Sequence, residues 1–291
     1  MWYNAEMLEA KGIPSDRAAF PKTGVEMRKL SKEFTVWDGD TLKSAGFMPN
    51  RFPEIMAIWS ALNGGMLFDV ANLNYMLDSG QNIEMMSFLL EWLDQEYKGD
   101  VNLIDRSGNF REGYADGATG VDPAFREGRQ AGLMSGSWLM GDIYADPVPS
   151  FTRWNQATNP IGPSGTAHVS GTWPNWFVIP VGSRNPQAAF DYLTYLSIEG
   201  AVQWYQQIPD VPTNAQVAVK PPQSLIDNRG ADFAQDLTAF LAEQAAIVTP
   251  TWNSPVQSFG NNQMARAMEK TFTHEQPVAA AQAELDRVLA G

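Results

Sequence analysis

Apolar residues at helical spacing mark the strongest elements. Ile83, Met86, Leu90, Leu93 and Tyr97 share one face of residues 81–97, which predicts an amphipathic helix. Ile55, Ile58, Trp59 and Leu62 repeat in the same way behind Pro53, which suits a first helical turn. Trp59 therefore reads as a core residue, and Gly64-Gly65 end its helix. Thr23 and Glu26 have the spacing of a capping box, so another helix starts there. A strand ends at Trp2-Tyr3, and a short helix over 5–11 is closed by Gly12. Asp122-Pro123 supplies an N-cap followed by a proline at the first helical position. Further helices are expected over 186–196, 199–207, 233–246, 257–272 and 277–289.

Short apolar runs fill the gaps. Residues 131–134 and Trp176-Phe177-Val178-Ile179 read as strands, and 66–70 as a shorter one. Residues 148–172 are rich in Pro, Gly, Asn and Ser and read mostly as loop, and 209–212 as a turn. Strands alternating with helices indicate an α/β fold. No internal repeat or low-complexity tract interrupts it.

Composition narrows the function classes. With 291 residues, 44% hydrophobic and 18% charged, the chain is globular and can bury a sizeable core. A net charge of -13 with no basic run repels phosphate backbones, so no nucleic acid partner is expected. The absence of cysteine excludes disulfides, thiolate nucleophiles and cysteine metal sites. The two histidines, His168 and His274, are too far apart in sequence for a local metal pair. The uncharged stretch 55–68, interrupted by Asn63-Gly64-Gly65, is too short for a bilayer span of about 20 apolar residues. Met1-Trp2-Tyr3-Asn4 has neither the basic nor the long apolar region of a signal peptide.

Catalytic motifs are missing as well. Gly162-Pro163-Ser164-Gly165-Thr166 departs from the nucleophile elbow at its last position. No phosphate-binding loop occurs, and neither histidine lies in a zinc-protease frame. Carboxylates are plentiful, but nothing singles out a glycosidase pair.

The order of several motifs resembles one family. Phe125, Gly128, Ala131, Met134, Gly136 and Trp138 are similar to the most recognisable motif of the extracellular solute-binding proteins of ABC importers. Tyr3-Asn4 with Leu8 and Gly12 resembles the strand and helix that enter the family's second lobe. The segment 21–30, Trp59 with Gly64-Gly65, Gly171 with Trp173, Asn185-Pro186 with Ala188-Ala189, and Pro277 with 281–289 follow in the family's order. The resemblance implies a bilobal α/β fold of the type II periplasmic-binding-protein kind, with its N-terminal lobe incomplete. Residues 1–170 and 249–291 would form the C-terminal lobe, and 171–248 the returning part of the N-terminal lobe. The export signal and most of the first lobe would be absent, through a truncated gene product or because another chain supplies them.

It also implies a function. Such a protein binds a carbohydrate between its lobes and delivers it to ABC permease subunits on the periplasmic or extracellular face. It uses no cofactor or metal, is not inserted in the membrane and is not an enzyme. The alternatives are a carbohydrate-active enzyme using paired carboxylates, or a sensor or interaction module. Sugar binders set aromatic faces against the apolar faces of sugar rings and add a few oriented polar groups. The expected contacts are Trp138 at a helix start, Trp173 at the second crossing, Arg51, Phe52 and Glu54 at a helix N-terminus, and Trp252, Asn253, Phe259 and Asn261 at the last crossing. Gly260 stands where the maltose binder has a stacking tryptophan, so the resemblance leaves the sugar open.

Overall fold

A computed structural model describes residues 1–49, 53–69, 71–72, 74–108, 110, 123–140, 150–172, 177–206, 214, 217, 220–250 and 283. Its centre is a five-stranded sheet of order β2-β3-β6-β1-β7. The strands are β1 (Trp2–Asn4), β2 (Val36–Asp38), β3 (Thr41–Phe47), β6 (Gln130–Leu133) and β7 (Trp154–Gln156). β3 runs parallel to β6, while β1 lies antiparallel between β6 and β7. The β1–β7 ladder continues past β1, because Met1 and Ala157 exchange backbone hydrogen bonds of 2.9 and 3.0 Å.

Each face of this sheet carries its own core. On one, Tyr3, Phe47 and Met27 pack with Met85, Leu89 and Trp92. These come in part from α2 (Gly24–Lys32), expected from its capping box, and α4 (Gly80–Tyr97), expected from periodicity. The buried face of α4 is rotated from the expected one, since Met85, Leu89 and Trp92 are buried while Ile83 is exposed and Leu90 only partly buried. The capping box forms: Glu26 N–H donates to Thr23 Oγ1 at 3.2 Å, and Thr23 N–H donates to the Glu26 carboxylate at 3.1 Å. Trp59, on α3 (Pro53–Leu62), is buried in the same core. Gly132 lies directly under the Phe47 ring, where a Cβ would collide with it.

On the other face, Trp2, Leu133 and Trp154 pack against Leu237, Phe240 and Leu241. The last three belong to a helix over Ala231–Ala245, which follows another over Gln223–Arg229. Trp154 is the hub. Its ring meets Trp2 at 4.8 Å and Phe233 at 5.6 Å, and the Arg229 guanidinium sits 3.8 Å from the Phe233 ring while donating to the Trp154 carbonyl at 2.8 Å. Arg17 pins the same helix by pairing with Asp236 at 2.8 Å and lying 4.2 Å over Phe240.

Several elements differ from expectation. Trp176 lies outside the described residues, and residues 177–180 form no strand despite their apolar run. A strand exists only within a ladder, and no described strand offers one there. The two helices expected over 186–207 run together. Pro186–Tyr195 passes through a wide turn at Leu196–Gly200 into Ala201–Tyr205. The stretch 148–172, read as mostly loop, holds β7 and also β8 (Ser170–Thr172). β8 pairs in parallel with β9 (Val248–Pro250). The shorter strand expected over 66–70 narrows to β4 (Phe68–Asp69), paired with β5 (Asn74–Tyr75). The turn at 209–212 and the helix over 257–272 lie outside the described residues, as does 277–289 apart from Ala283.

Candidate functional site

A cleft of about 1270 Å³ opens where the sheet meets the helical segment 186–205. Several regions line it. The turn after β6 contributes Met134 to Trp138, and the end of β7 contributes Gln156 with Ala157. β8 contributes Ser170, Gly171 and Thr172. The helical segments contribute Phe190, Trp204, Tyr205, Phe240 and Gln244.

The turn that carries Trp138 is fixed locally. Leu139 and Met140 are buried in the core shared with Trp2 and Phe125, so they anchor its far end. The Trp2 indole N–H donates to the Gly136 carbonyl at 3.0 Å, and Leu139 N–H donates to the same oxygen at 3.3 Å. The Trp138 ring folds over Gly136, leaving no room there for a Cβ. Trp138 is half-buried and belongs to neither hydrophobic cluster. Its ring is therefore held in place while part of it stays accessible to a ligand.

The electrostatics are simple. Among the described residues, no Asp, Glu, Lys, Arg or His side chain lines the cleft. Its polar lining is neutral, made of Ser, Thr, Asn and Gln side chains with Tyr205. Asn159 is positioned by its own bonds, since Nδ2 donates to the Val169 carbonyl at 3.0 Å. His168 Nδ1 donates to the Asn159 carbonyl at 2.8 Å, so His168 braces this loop. Shifted carboxyls lie elsewhere. Hydrogen bonds from Asn63 and Ser164 hold Glu84 below the usual carboxylate range, while burial pushes Glu96 up. No group of three or more His, Asp or Glu side chains able to hold a metal occurs among the described residues.

Of the residues expected from the sequence, Trp138 is placed in this cleft. Glu54 lies in the first turn of α3, with its side chain outside what the structure describes. Arg51, Phe52, Trp173, Trp252, Asn253, Phe259 and Asn261 lie outside the described residues. Gln156, Asn159, Phe190, Trp204 and Gln244 were not expected. Gln156 had one readable signal: Trp154 and Gln156 alternate with Asn155, the period of a half-buried strand.

A mixed α/β fold with an aromatic, uncharged cleft defines a class of protein that holds small molecules. The chain belongs to the bacterial extracellular solute-binding proteins, whose family profile matches residues 1–227. No curated protein matches it. Solved proteins with sugars bound share its fold. CpMnBP1 with mannotriose bound is 18% identical with a TM-score of 0.76, covering 98% of this chain and 70% of that one. Maltose-bound MalE3 of T. maritima is 17% identical with a TM-score of 0.66, covering 99% and 69%. The maltotriose-bound MalE domain of Bdellovibrio bacteriovorus is 18% identical with a TM-score of 0.64, covering 100% and 70%. No described helix is long and apolar enough to cross a membrane.

Proposed function

We propose that this protein is the solute-binding component of an ABC importer, and that it holds a neutral carbohydrate in the cleft without transforming it. The observation that carries the reading is the lining: Trp138 and other aromatic side chains stand among neutral polar groups, with no charged side chain among the described residues. Sugar rings present apolar C–H faces to aromatic rings and uncharged hydroxyls to amides and hydroxyl groups. A charged ligand would leave its charge without a partner in such a site. The size suits an oligosaccharide, since drug-sized pockets run to roughly 1,000 Å³. Mannotriose, maltose and maltotriose occupy proteins of the same fold.

In this reading Trp138 stacks on a sugar ring, and Trp173, Arg51, Phe52, Glu54, Trp252, Asn253, Phe259 and Asn261 supply further contacts. Ligand contacts made only in a closed form shift the protein toward that form. Membrane permease subunits then recognise it on the periplasmic or extracellular face. The test is calorimetry and tryptophan fluorescence across neutral sugars and sugar alcohols, with product analysis of each mixture. Saturable binding with the sugar recovered intact is the expected result. Steady product formation that stops when a carboxylate is replaced would make the protein an enzyme and end this reading.

A further inference from the structure

Gln156 is 5% exposed, yet its side-chain Nε2 has no hydrogen-bond partner among the described residues. Its backbone is fully engaged. The carbonyl accepts from Arg17 Nε at 2.8 Å, and the N–H donates to Asn155 Oδ1 at 2.8 Å. The strand is therefore held, and only the amide is left over. The register sets Gln156 opposite Trp2, whose indole bonds Gly136 beneath the Trp138 ring. Gln156 and Trp138 thus stand on the same stretch of wall, and both line the cleft.

A buried amide whose donors are unmet costs folding free energy, and native proteins rarely retain one without a reason. Trp59 Nε1 also has no partner among the described residues, but Trp59 is packed in the main core and does not line the cleft. We infer that Gln156 is a ligand-contacting residue whose amide N–H donates to a hydroxyl oxygen of the bound carbohydrate. The inference rests on the carbohydrate reading above. A primary amide offers two donors and an acceptor without charge, which matches a sugar hydroxyl. Because Arg17 and the β1 pairing fix the backbone beforehand, little ordering is left to be done on binding.

The test compares the full chain with Gln156→Met, which keeps length and bulk and removes every polar atom. Gln156→Ala serves as a second variant that adds no new shape. The probes are mannotriose and maltotriose, followed by calorimetry. Melting is recorded separately without sugar. Both variants should bind the sugar that the wild type binds about tenfold more weakly. Gln156→Met should also melt about 2–4 °C higher without sugar, because the unmet amide is gone. Unchanged affinity in both variants overturns the inference. So does a lower melting point for Gln156→Met, which would reveal a partner for the amide inside the protein. If the wild type takes up neither sugar, the carbohydrate reading is what has failed, and the melting comparison still judges Gln156. A rise then supports contact with another neutral ligand, and a fall overturns it.

Discussion

Two helical segments carry similar apolar patterns and meet different surroundings. Residues 80–97 bury Met85, Met86, Leu89, Trp92 and Leu93 against the sheet. Residues 186–205 bury none of theirs: Phe190 is 59% exposed, Tyr192 60% and Trp204 54%. Periodicity therefore tells that a helix forms, and the neighbouring layer decides what its apolar face is worth. In the first segment that face makes a core. In the second, Phe190, Trp204 and Tyr205 line the cleft together with the exposed Phe177. The contrast separates residues that hold the fold from residues available to a ligand.

The largest expected effect falls on the packed side. Trp154 is fully buried between Trp2 and Phe233 and joins the sheet to the helix over Ala231–Ala245. Trp154→Ala should cost about 3–5 kcal/mol of folding stability. Trp204→Ala, on the exposed segment, should change stability by about 0.5 kcal/mol or less. Urea unfolding of the two variants measures both. Hydrogen exchange should follow the same division, with amides of 186–205 exchanging well before those of β1 and of residues 80–97. Equal costs for the two tryptophans would dissolve the comparison.

The packed side was also the more legible in the sequence. The capping box of Thr23 and Glu26, the helical repeat within 81–97 and the proline-led helix at Pro53 are local signals at three- and four-residue spacing, although the repeat put Ile83 on the buried face and the structure leaves it exposed. β3 gave no such signal. Its alternation holds over Thr41, Leu42 and Lys43, then breaks as Ala45, Gly46 and Phe47 are all buried. The run 176–179 misled for the opposite reason, because apolar composition suggested a strand that has no described neighbour to pair with. The helix over Gln223–Arg229 hid behind Pro221-Pro222, which reads as a breaker although Pro222 serves as its N-cap. At the site, Trp138 could be marked by its Gly136-Ser137 setting. Gln156 carried only the strand alternation of residues 154–156, since what distinguishes it, an unmet amide beside Trp2 of a distant strand, exists only in the folded chain.

A smaller effect tests the cleft side directly. Trp138→Ala should weaken sugar binding by roughly 1–3 kcal/mol, as truncation of an aromatic contact does. Its cost in folding should stay well below the about 3–5 kcal/mol of a buried aromatic, because Trp138 is half-buried and outside both cores. Calorimetry and urea unfolding on the same variant separate the two. A large fall in stability with unchanged affinity would move Trp138 to the packed side of the comparison.

The smallest effect is a slope rather than a midpoint, and it comes from inside the packed half. Glu96 lies at the sheet face of residues 80–97. Its Oε1 accepts from the Ser31 hydroxyl and from Thr35 Oγ1 at 2.5 Å, and its Oε2 from Trp92 Nε1 at 2.8 Å. Burial raises its carboxyl above the ordinary value of 4.5 in spite of these bonds. The folded chain therefore keeps this proton at a pH where the unfolded chain has released it. Stability from Glu96 is fully present below the ordinary value and is lost as pH rises through the raised one. Surface carboxyls behave oppositely: backbone bonds from Lys22 and Thr23 lower Glu26, so its contribution is lost as pH falls. Glu96→Gln removes the first component and leaves the second. The stability of the wild type relative to Glu96→Gln should therefore decline from about pH 4 to pH 7. Urea unfolding of both proteins across that range is the measurement. Parallel curves would mean that Glu96 titrates alike in the folded and unfolded chains, and that burial in this core does not govern its proton.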